Sequence, residues 1–337
     1  MNNKNISLLI IFICLTSLFV GILMPKTNSS QDELERSDNT SYNAIKSFGS
    51  YAPFKGAKIK AIKLEGIITD SEGSSFFKNS TSSSAVLEQI IKATKDPSVK
   101  AIILRINSPG GTVAASQEIY QALIRARKKK PIVITMGDVA ASGGYYIASA
   151  GDSIYANPGT LTGSIGVITS YLNFTDLFKK FGVEGITIKS GKFKDIGSST
   201  RPLTEAERKI LQALLDNSYK QFIGDVAKGR GVPYEKISMI AEGLIYTGEQ
   251  AKKIGLVDHL GDYSDALDYT QKLAKKRFPD IGKKYGKKDL PVDEEWKSSS
   301  VLENFISASI GKNEKFEAFF PQKFISQSKF QPLWIVE

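Results

Sequence analysis

An uncharged, mostly apolar run occupies residues 6–24 near the start of the chain. An α-helix rises ~1.5 Å per residue, so a run of this length is just enough to cross the hydrocarbon core of a membrane. No small-residue cleavage site follows it, which favours a retained single-pass anchor over a removed signal peptide. Lys4 precedes the run and acidic residues follow it. Residues 1–5 are therefore expected in the cytoplasm, and the remainder on the extracytoplasmic (periplasmic or extracellular) side of the cell membrane.

Beyond this run, the polar residues 25–55 are typical of a linker, and the pattern changes from Lys58 onward. Short apolar runs at 101–106 and 132–136 have the character of buried parallel strands. Segments in which apolar residues recur at helical spacing alternate with these strands. This order predicts an α/β domain in which a parallel sheet carries helices on its faces.

The remaining elements follow the same pattern. Helices are predicted at residues 84–95, 113–129, 142–150, 174–181, 204–228, 233–241, 248–254 and 263–277, and further short strands at 58–69, 154–156, 165–169 and 185–189. Thr204 and Glu207 have the spacing of a capping box at the start of the long helix. We expect the domain to span residues 56–277 and the aromatic-rich residues 278–337 to form a tail without an assigned role.

Composition narrows the possible chemistry, because the 337-residue chain has one Cys, one His and a net charge of +10. Cys14 has no partner for a disulfide within the chain, and no HExxH or CxxC zinc pattern occurs, so we expect no metal and no organic cofactor. Residues 272–288 concentrate positive charge. We interpret them as a solvated helix end and linker. If they have a partner, membrane lipid fits a tethered protein better than nucleic acid does.

The clearest candidate for chemistry is Ser142, which stands at a predicted strand-to-helix turn and is followed by two glycines. The first N–H groups of a helix have no intrahelical acceptor, and the helix dipole adds partial positive charge there. A nucleophilic hydroxyl beside such donors suits acyl transfer. The simpler alternative is that Ser142 only caps the helix. A second glycine-rich turn is predicted at residues 107–111, where N–H groups could complete an oxyanion hole.

A hydrolase of this kind needs a base. His259 lies near the end of the predicted domain, and we expect it to be a surface residue outside the site. Residues 190–197 offer Lys192 and Lys194 instead. A lysine base must be neutral, and an unperturbed lysine with a pKa of ~10.4 is deprotonated in only about one molecule in 10³ at neutral pH. Desolvation by apolar neighbours such as Phe193 and Ile196 would favour the neutral form.

Four segments together resemble the signal peptide peptidase A (protease IV) family: Asn107–Gly111, Ala140–Ile147, Thr162–Val167 and Ser190–Ile196. The resemblance covers roughly residues 58–275 and keeps the family's motif order. It implies a Ser/Lys dyad, with Ser142 as the nucleophile and Lys194, not Lys192, as the general base. It also implies oxyanion donors at Gly143 and Gly111, with Gly110 adjacent, and a possible lysine-orienting role for Ser164.

The same resemblance implies the Clp protease/crotonase-like fold, a spiral parallel β-sheet with surrounding helices. It implies the short form of the family, in which single catalytic units form a homo-oligomeric ring and neighbouring subunits share the dyad. The implied activity is that of a membrane-anchored serine endopeptidase that degrades cleaved signal peptides and similar apolar peptides, without nucleic acid as a partner.

Two other functions fit parts of the sequence. A crotonase-like acyl-CoA enzyme also uses paired N–H groups at helix starts, but the predicted anchor opposes a cytoplasmic enzyme of that kind. A non-catalytic membrane scaffold would not need both Ser142 and Lys194.

Overall fold

The computed structural model describes residues 56–70, 82–294 and 333–335. The strands are β1 Lys58–Glu65, β2 Val99–Ser108, β3 Gly110–Thr112, β4 Ile132–Ala141, β5 Ser153–Ala156, β6 Leu161–Gly163, β7 Ile245–Thr247, β8 His259–Leu260, β9 Val292–Glu294 and β10 Leu333–Ile335. The helices are α1 Ser83–Lys95, α2 Val113–Arg127, α3 Gly143–Ala148, α4 Thr175–Lys180, α5 Glu205–Arg230, α6 Tyr234–Ser238, α7 Gly248–Lys253, α8 Tyr263–Arg277 and α9 Pro279–Tyr285.

Eight strands form one sheet. Six of them have the order β7-β6-β4-β2-β1-β9, while β5 pairs with β4 and β8 pairs with β5. The first half of β4 pairs with β5 and its last three residues pair with β6, so β4 contacts two successive strands on one side. All of these pairings are parallel except that of β6 with β7. The predicted α/β architecture is confirmed, but the sheet is mixed at its β7 edge.

Both faces of the sheet are buried. Successive residues of a strand point to opposite faces, and here the residues on each face belong to a hydrophobic cluster. On one face, Ile102 and Leu104 of β2 belong to a large hydrophobic cluster that also includes residues of α1, α2, α3 and α5. On the other face, Ile103 belongs to a smaller cluster that includes residues of α8. The core therefore lies in two layers, and β2 and β4 are covered on both sides.

Several sequence predictions differ from the structure in ways that matter for the site. The segment 107–111, predicted as a turn, is largely extended, because β2 continues to Ser108 and β3 follows at once. The strands predicted at 165–169 and 185–189 do not form. Ile186 and Ile188 are 80% and 96% exposed, so the alternating apolar pattern there has no strand beside it within the described part of the chain.

The predicted anchor at 6–24 and linker at 25–55 lie outside the described residues. Within the described ranges, no helix combines the length and the hydropathy of a membrane span. The capping box of Thr204 and Glu207 is confirmed at the start of α5. The proposed domain boundaries stay a prediction.

Candidate active site

Ser142 connects the buried strand β4 to the short helix α3. It is 1% exposed and has a φ of 52°, in the left-handed region that residues with a Cβ rarely adopt. Its N–H donates to the carbonyl of Gly163 at 2.9 Å, which fixes it beside β6. A strained backbone of this kind persists only where its surroundings impose it, and such residues cluster at functional sites.

The structure also separates the two interpretations of Ser142. A serine that serves as a helix N-cap accepts a hydrogen bond from an N–H of the first turn. Ser142 makes no side-chain cap bond, and its hydroxyl has no hydrogen-bond partner among the described residues. Simple capping therefore does not account for this serine.

Two backbone segments approach each other closely beside Ser142. A Cβ atom on Gly143 would lie 2.6 Å from Oγ of Ser116 and 3.2 Å from the amide nitrogen of Gly111. A Cβ on Gly111 would lie 1.9 Å from the carbonyl oxygen of Ile68. Glycine is needed at both positions, and the amides of α3 and β3 converge next to the hydroxyl. Converging amides of this kind suit an oxyanion hole.

Hydrogen bonds hold β3 in place. Gly110 has a φ of 116°, and its N–H donates to Oγ of Ser108 at 3.1 Å. The N–H of Ile68 donates to the Gly110 carbonyl, and the N–H of Thr112 donates to the Ile68 carbonyl, both at 2.9 Å. Gly110 is thus adjacent to the candidate donor Gly111, as the sequence predicted, and its own role is to shape the backbone.

Buried tyrosines anchor α3 from behind. The hydroxyl of Tyr145 donates to the Leu256 carbonyl at 2.9 Å, and that of Tyr146 donates to the Asp225 carboxylate. Burial raises the pKa of both phenols well above the usual value, so they stay protonated donors. Sequence reasoning missed Asp225 and Ser116, because neither carries a local motif. Asp225 lies on α5, far along the chain from Tyr146, and Ser116 lies in the first turn of α2.

Ser164 lies next to Ser142. It follows β6, whose Gly163 pairs with Ala141 of β4, and it has a φ of 50°. Its N–H donates to the Leu244 carbonyl at 2.8 Å. The structure therefore brings Ser164 to the candidate nucleophile, but gives it no contact with Lys194.

Lys194 lies in an exposed turn. Its ammonium group makes no ion pair and no side-chain hydrogen bond with any described residue, Ser142 included. Lys192 is also exposed and lies 5.2 Å from the ring of Phe193. Within one chain, the structure does not join the two predicted members of the dyad.

An ionic network fixes the backbone around Lys194. Arg201 binds the carboxylates of both Asp195, at 2.8 Å, and Glu207, at 2.9 Å, and Lys189 also binds Asp195. These hydrogen bonds hold the pKa of Asp195 well below its usual range and lower that of Glu207 to about 2. The turn that carries Lys194 is therefore tied to the start of α5.

Residues 171–193 form an exposed apolar segment, which we call the arm. The arm folds back on the following residues, since the N–H of Phe174 donates to the Ser199 carbonyl at 2.7 Å. Among its exposed charged residues, the arm also exposes eight large apolar side chains, which is unusual for a protein surface in contact with water. These apolar side chains are Tyr171, Leu172, Leu177, Phe181, Val183, Ile186, Ile188 and Phe193.

His259 does not belong to the site. It lies in β8, where it pairs with Tyr155 and stacks on its ring at 4.7 Å. Tyr155 is the partner of Thr135 on β4, seven residues before Ser142 and roughly 20 Å away along the strand. The prediction that His259 lies outside the site is confirmed, but it is a half-buried strand residue rather than a surface one.

The C-terminal segment reaches the site as a strand. β10 pairs antiparallel with β3, and Trp334 lies opposite Gly111. The edge that carries the candidate oxyanion donor is thus able to pair with an extended peptide backbone. Among the described residues, no group of three or more His, Cys, Asp or Glu could hold a metal ion.

Comparisons with known proteins agree with this geometry. Residues 124–277 match peptidase family S49, and residues 74–160 match the Clp protease family. Over 225 residues the chain is 44% identical to slr0021 of Synechocystis sp., provisionally named a protease; the match covers 66% of this chain and 77% of that protein.

Two further relatives are similar over nearly the same share of the chain. An Enterococcus faecium protein provisionally named signal peptide peptidase SppA is 40% identical over 220 residues, which are 65% of this chain and 64% of that protein. Protease 4 of Salmonella typhi is 40% identical over 221 residues, which are 65% of this chain but 35% of that protein.

The fold and these comparisons together define a serine protease with a Clp protease-like α/β architecture. The chain belongs to peptidase family S49.

Proposed function

We propose that the chain is a membrane-anchored serine endopeptidase in which Ser142 of one copy and Lys194 of a neighbouring copy form the catalytic dyad. The observation that carries the proposal is the strained, uncapped Ser142 beside the converging amides of Gly143 and Gly111. A hydroxyl held in this way is placed to attack a carbonyl whose oxygen lies against those amides.

The arm supports the sharing of the dyad between copies. The ammonium group of Lys194 has no partner among the described residues of its own chain, and Lys194 follows a segment whose large apolar side chains are exposed. A contact with a second copy would bury those side chains and remove water from the lysine, which favours its neutral form. Clp protease-like folds assemble into oligomers, and a closed ring would give every Ser142 a neighbouring lysine.

The reaction then follows from these groups. Neutral Lys194 takes the proton of the Ser142 hydroxyl while Oγ bonds to the peptide carbonyl carbon, and the N–H groups of Gly143 and Gly111 hold the resulting oxyanion. The lysine ammonium gives its proton to the amide nitrogen as the C–N bond breaks and the amine leaves. Water, deprotonated by the same lysine, attacks the acyl-enzyme; the tetrahedral intermediate collapses, and the proton returns to Ser142. Ser164, next to Ser142, is placed to hydrogen-bond the incoming lysine.

The substrates follow from the peptide-binding edge and from the relatives. β10 lies on β3 as an extended backbone would, so β3 offers main-chain hydrogen bonds to a substrate strand. The name of the Enterococcus faecium relative states a signal peptide peptidase. With the apolar run at 6–24 as a single-pass anchor, the site would act on the extracytoplasmic side on cleaved signal peptides and similar apolar peptides.

Complementation between two inactive variants tests the shared dyad. In the full chain in detergent micelles, Ser142→Ala and Lys194→Ala should each lower kcat/KM by about 10³-fold or more, whereas Lys192→Ala should stay near wild type. When the two variants are co-expressed in equal amounts and assemble at random, one site in four combines an intact serine with an intact neighbouring lysine. Recovery of about a quarter of wild-type activity is expected.

Two outcomes would contradict the proposal. Full activity of either single variant would remove the dyad. An inactive mixture, in oligomers that contain both variants, would place both residues in one chain.

A further inference from the structure

A groove near the opposite edge of the sheet from Ser142 has a distinct chemical character. It lies between α1 and α2, has a volume of about 380 Å³ and is floored by Ile90, Ile91 and Ala122. Lys95, Arg125, Lys128 and Lys129 form its rim. We call it the basic groove. Ile91 remains 39% exposed at its floor.

The rim carries charge that the chain does not neutralise. None of the four rim cations forms an ion pair with any described residue. The nearest acidic groups on α1 and its C-cap are engaged elsewhere: Glu88 pairs with Lys92 at 2.6 Å, and Asp96 contacts Lys58 at 3.7 Å and accepts from Ser98. The groove therefore has an excess of positive charge.

Other cations extend this surface. Arg277 at the end of α8 donates to the carbonyl of Lys128 at 3.3 Å, which places the basic last turn of α8 beside that of α2. Lys100 lies 5.1 Å from the ring of Phe278. Helix dipoles favour cations in last turns, and this explains part of the clustering. They do not explain an apolar opening between the cations.

The position of the groove in the fold points to its partner. Lys95 closely precedes β2, and Lys128 and Lys129 precede β4, so the groove lies at the amino edge of the parallel strands. The chain enters β1 at this same edge, directly after residues 25–55. Ser142 follows the other end of β4, roughly 30 Å away along the strand.

We propose that the basic groove binds anionic phospholipid at a membrane surface, with the headgroup phosphate against the rim cations and the start of the acyl region against Ile91. This rests on the proposed membrane anchoring, because the predicted linker of residues 25–55 joins the described domain by its backbone at this edge. Nucleic acid and acidic proteins match the charge but not the apolar floor. Cations near an anionic leaflet each strengthen binding, and an exposed isoleucine adds apolar burial.

Co-sedimentation with vesicles tests the site, using residues 56–337. Both hydrophobic clusters of the described residues lie within this fragment, so it contains its own core. It should bind vesicles of phosphatidylcholine containing one third phosphatidylglycerol, and bind pure phosphatidylcholine far less. Each cation near an anionic surface contributes about fivefold to partitioning, so the double variant Arg125→Gln/Lys128→Gln should bind about 25-fold more weakly. Added salt should weaken wild-type binding.

The matched control is Lys209→Gln/Lys220→Gln, which removes two exposed cations of α5 away from the groove and should bind within twofold of wild type. Circular dichroism of each variant checks that it is folded. Equal binding by the groove variant and wild type, or equal binding to both kinds of vesicle, would overturn the proposal. So would binding of a soluble hexaglutamate peptide without binding to vesicles.

The catalytic proposal can be tested independently of lipid binding by the basic groove. Ser142→Ala in the same fragment should bind vesicles like wild type, because it lies at the opposite edge of the sheet. Carbonate extraction of the full chain from membranes tests the anchor itself, without involving the groove.

Discussion

The two halves of the proposed dyad lie in regions of opposite character. Ser142 lies in the core, between a strand covered on both faces and a helix held by buried tyrosines. Lys194 lies in an exposed turn after the arm, and the ionic network of Arg201 ties this turn to the start of α5. In the proposed mechanism, each chain holds the nucleophile and the oxyanion donors in fixed positions and presents the lysine base to a neighbouring copy.

This contrast has a mechanistic consequence. Donors that are fixed before the substrate arrives stabilise developing charge without reorganisation, so the nucleophile half gains from rigidity. A lysine base works better where water is excluded, because desolvation favours its neutral form. A lysine in an exposed turn loses its water only when another surface covers it. The predictions below test the rigid half first, then the exposed half.

After the dyad variants described above, the largest effect is expected at Gly143. Gly143→Ala places a Cβ 2.6 Å from Oγ of Ser116 and 3.2 Å from the amide nitrogen of Gly111, which must push the two proposed oxyanion donors apart. The loss of kcat should be about 10²- to 10³-fold with little change in KM. Adding Ser116→Ala removes the closest clash and should recover part of the loss.

Gly159 supplies the control, since a Cβ there meets nothing within 4 Å. Gly159→Ala should leave kcat unchanged. Wild-type kcat in Gly143→Ala would show that these amides do not form the oxyanion hole.

The arm should be next in magnitude. Phe181→Ser, Ile186→Ser and Ile188→Ser together remove apolar side chains that are 75%, 80% and 96% exposed in the single chain. If the arm docks on a second copy, the triple variant should dissociate and lose at least tenfold in activity, while the melting temperature of each copy changes little. Light scattering and peptidase assays measure both.

Met239→Ser is the matched control, because Met239 is 74% exposed but lies at the end of α6, outside the arm. It should keep its oligomeric state. A dissociated triple variant with full activity would place the complete dyad within one chain.

A smaller effect is expected from the C-terminal strand. β10 occupies the β3 edge that a substrate strand would use, so removal of residues 330–337 should lower KM. If β10 competes with the substrate as a tethered strand of modest affinity, KM should fall by about two- to fivefold. Trp334→Pro, which removes one backbone donor opposite Gly111, should act in the same direction. An unchanged or higher KM in both variants would mean that substrates do not use this edge.

The smallest effect concerns acid pH and the turn that carries Lys194. The pKa values of Asp195 and Glu207 are lowered from 3.8 and 4.5 by their hydrogen bonds to Arg201 and other donors. Their contribution is therefore fully present above the unfolded values and is lost as pH falls through the folded ones. The hydrogen-exchange protection factors of residues 189–207, which correct for the slower intrinsic exchange of amides in acid, should fall progressively as the pH falls below about 4.

Arg201→Gln should show fast exchange in this segment already at neutral pH, and lose most of the pH dependence. Exchange of β4 is the internal control and should not respond over the same range. A wild-type segment that stays protected at low pH would contradict the role of the network.

Local patterns predicted much of the rigid half. The apolar runs predicted β2 and β4, and the spacing of Thr204 and Glu207 predicted the start of α5. The serine before two glycines predicted the strand-to-helix junction at Ser142. Each of these depends on residues close together in the chain. Residues 107–111 were predicted as a turn but are largely extended, because Ile68, far away in sequence, pairs with Gly110 and Gly111.

The exposed half was less predictable for the same reason. Residues 185–189 alternate like a strand, yet no strand of the described chain pairs with them. Alternation reports that one face of a segment is suited to burial, but not which surface buries it.

By itself, the sequence determined the α/β class, the place of Ser142 at a strand-to-helix junction and the need for a base other than His259, because periodicity, glycine spacing and composition are local properties. Only the tertiary structure decided that the amides of Gly143 and Gly111 meet, that Ser164 stands beside Ser142, and that Lys194 has no partner among the described residues of its own chain. Those facts depend on long-range packing, in which buried contacts between distant segments fix positions that no local pattern encodes.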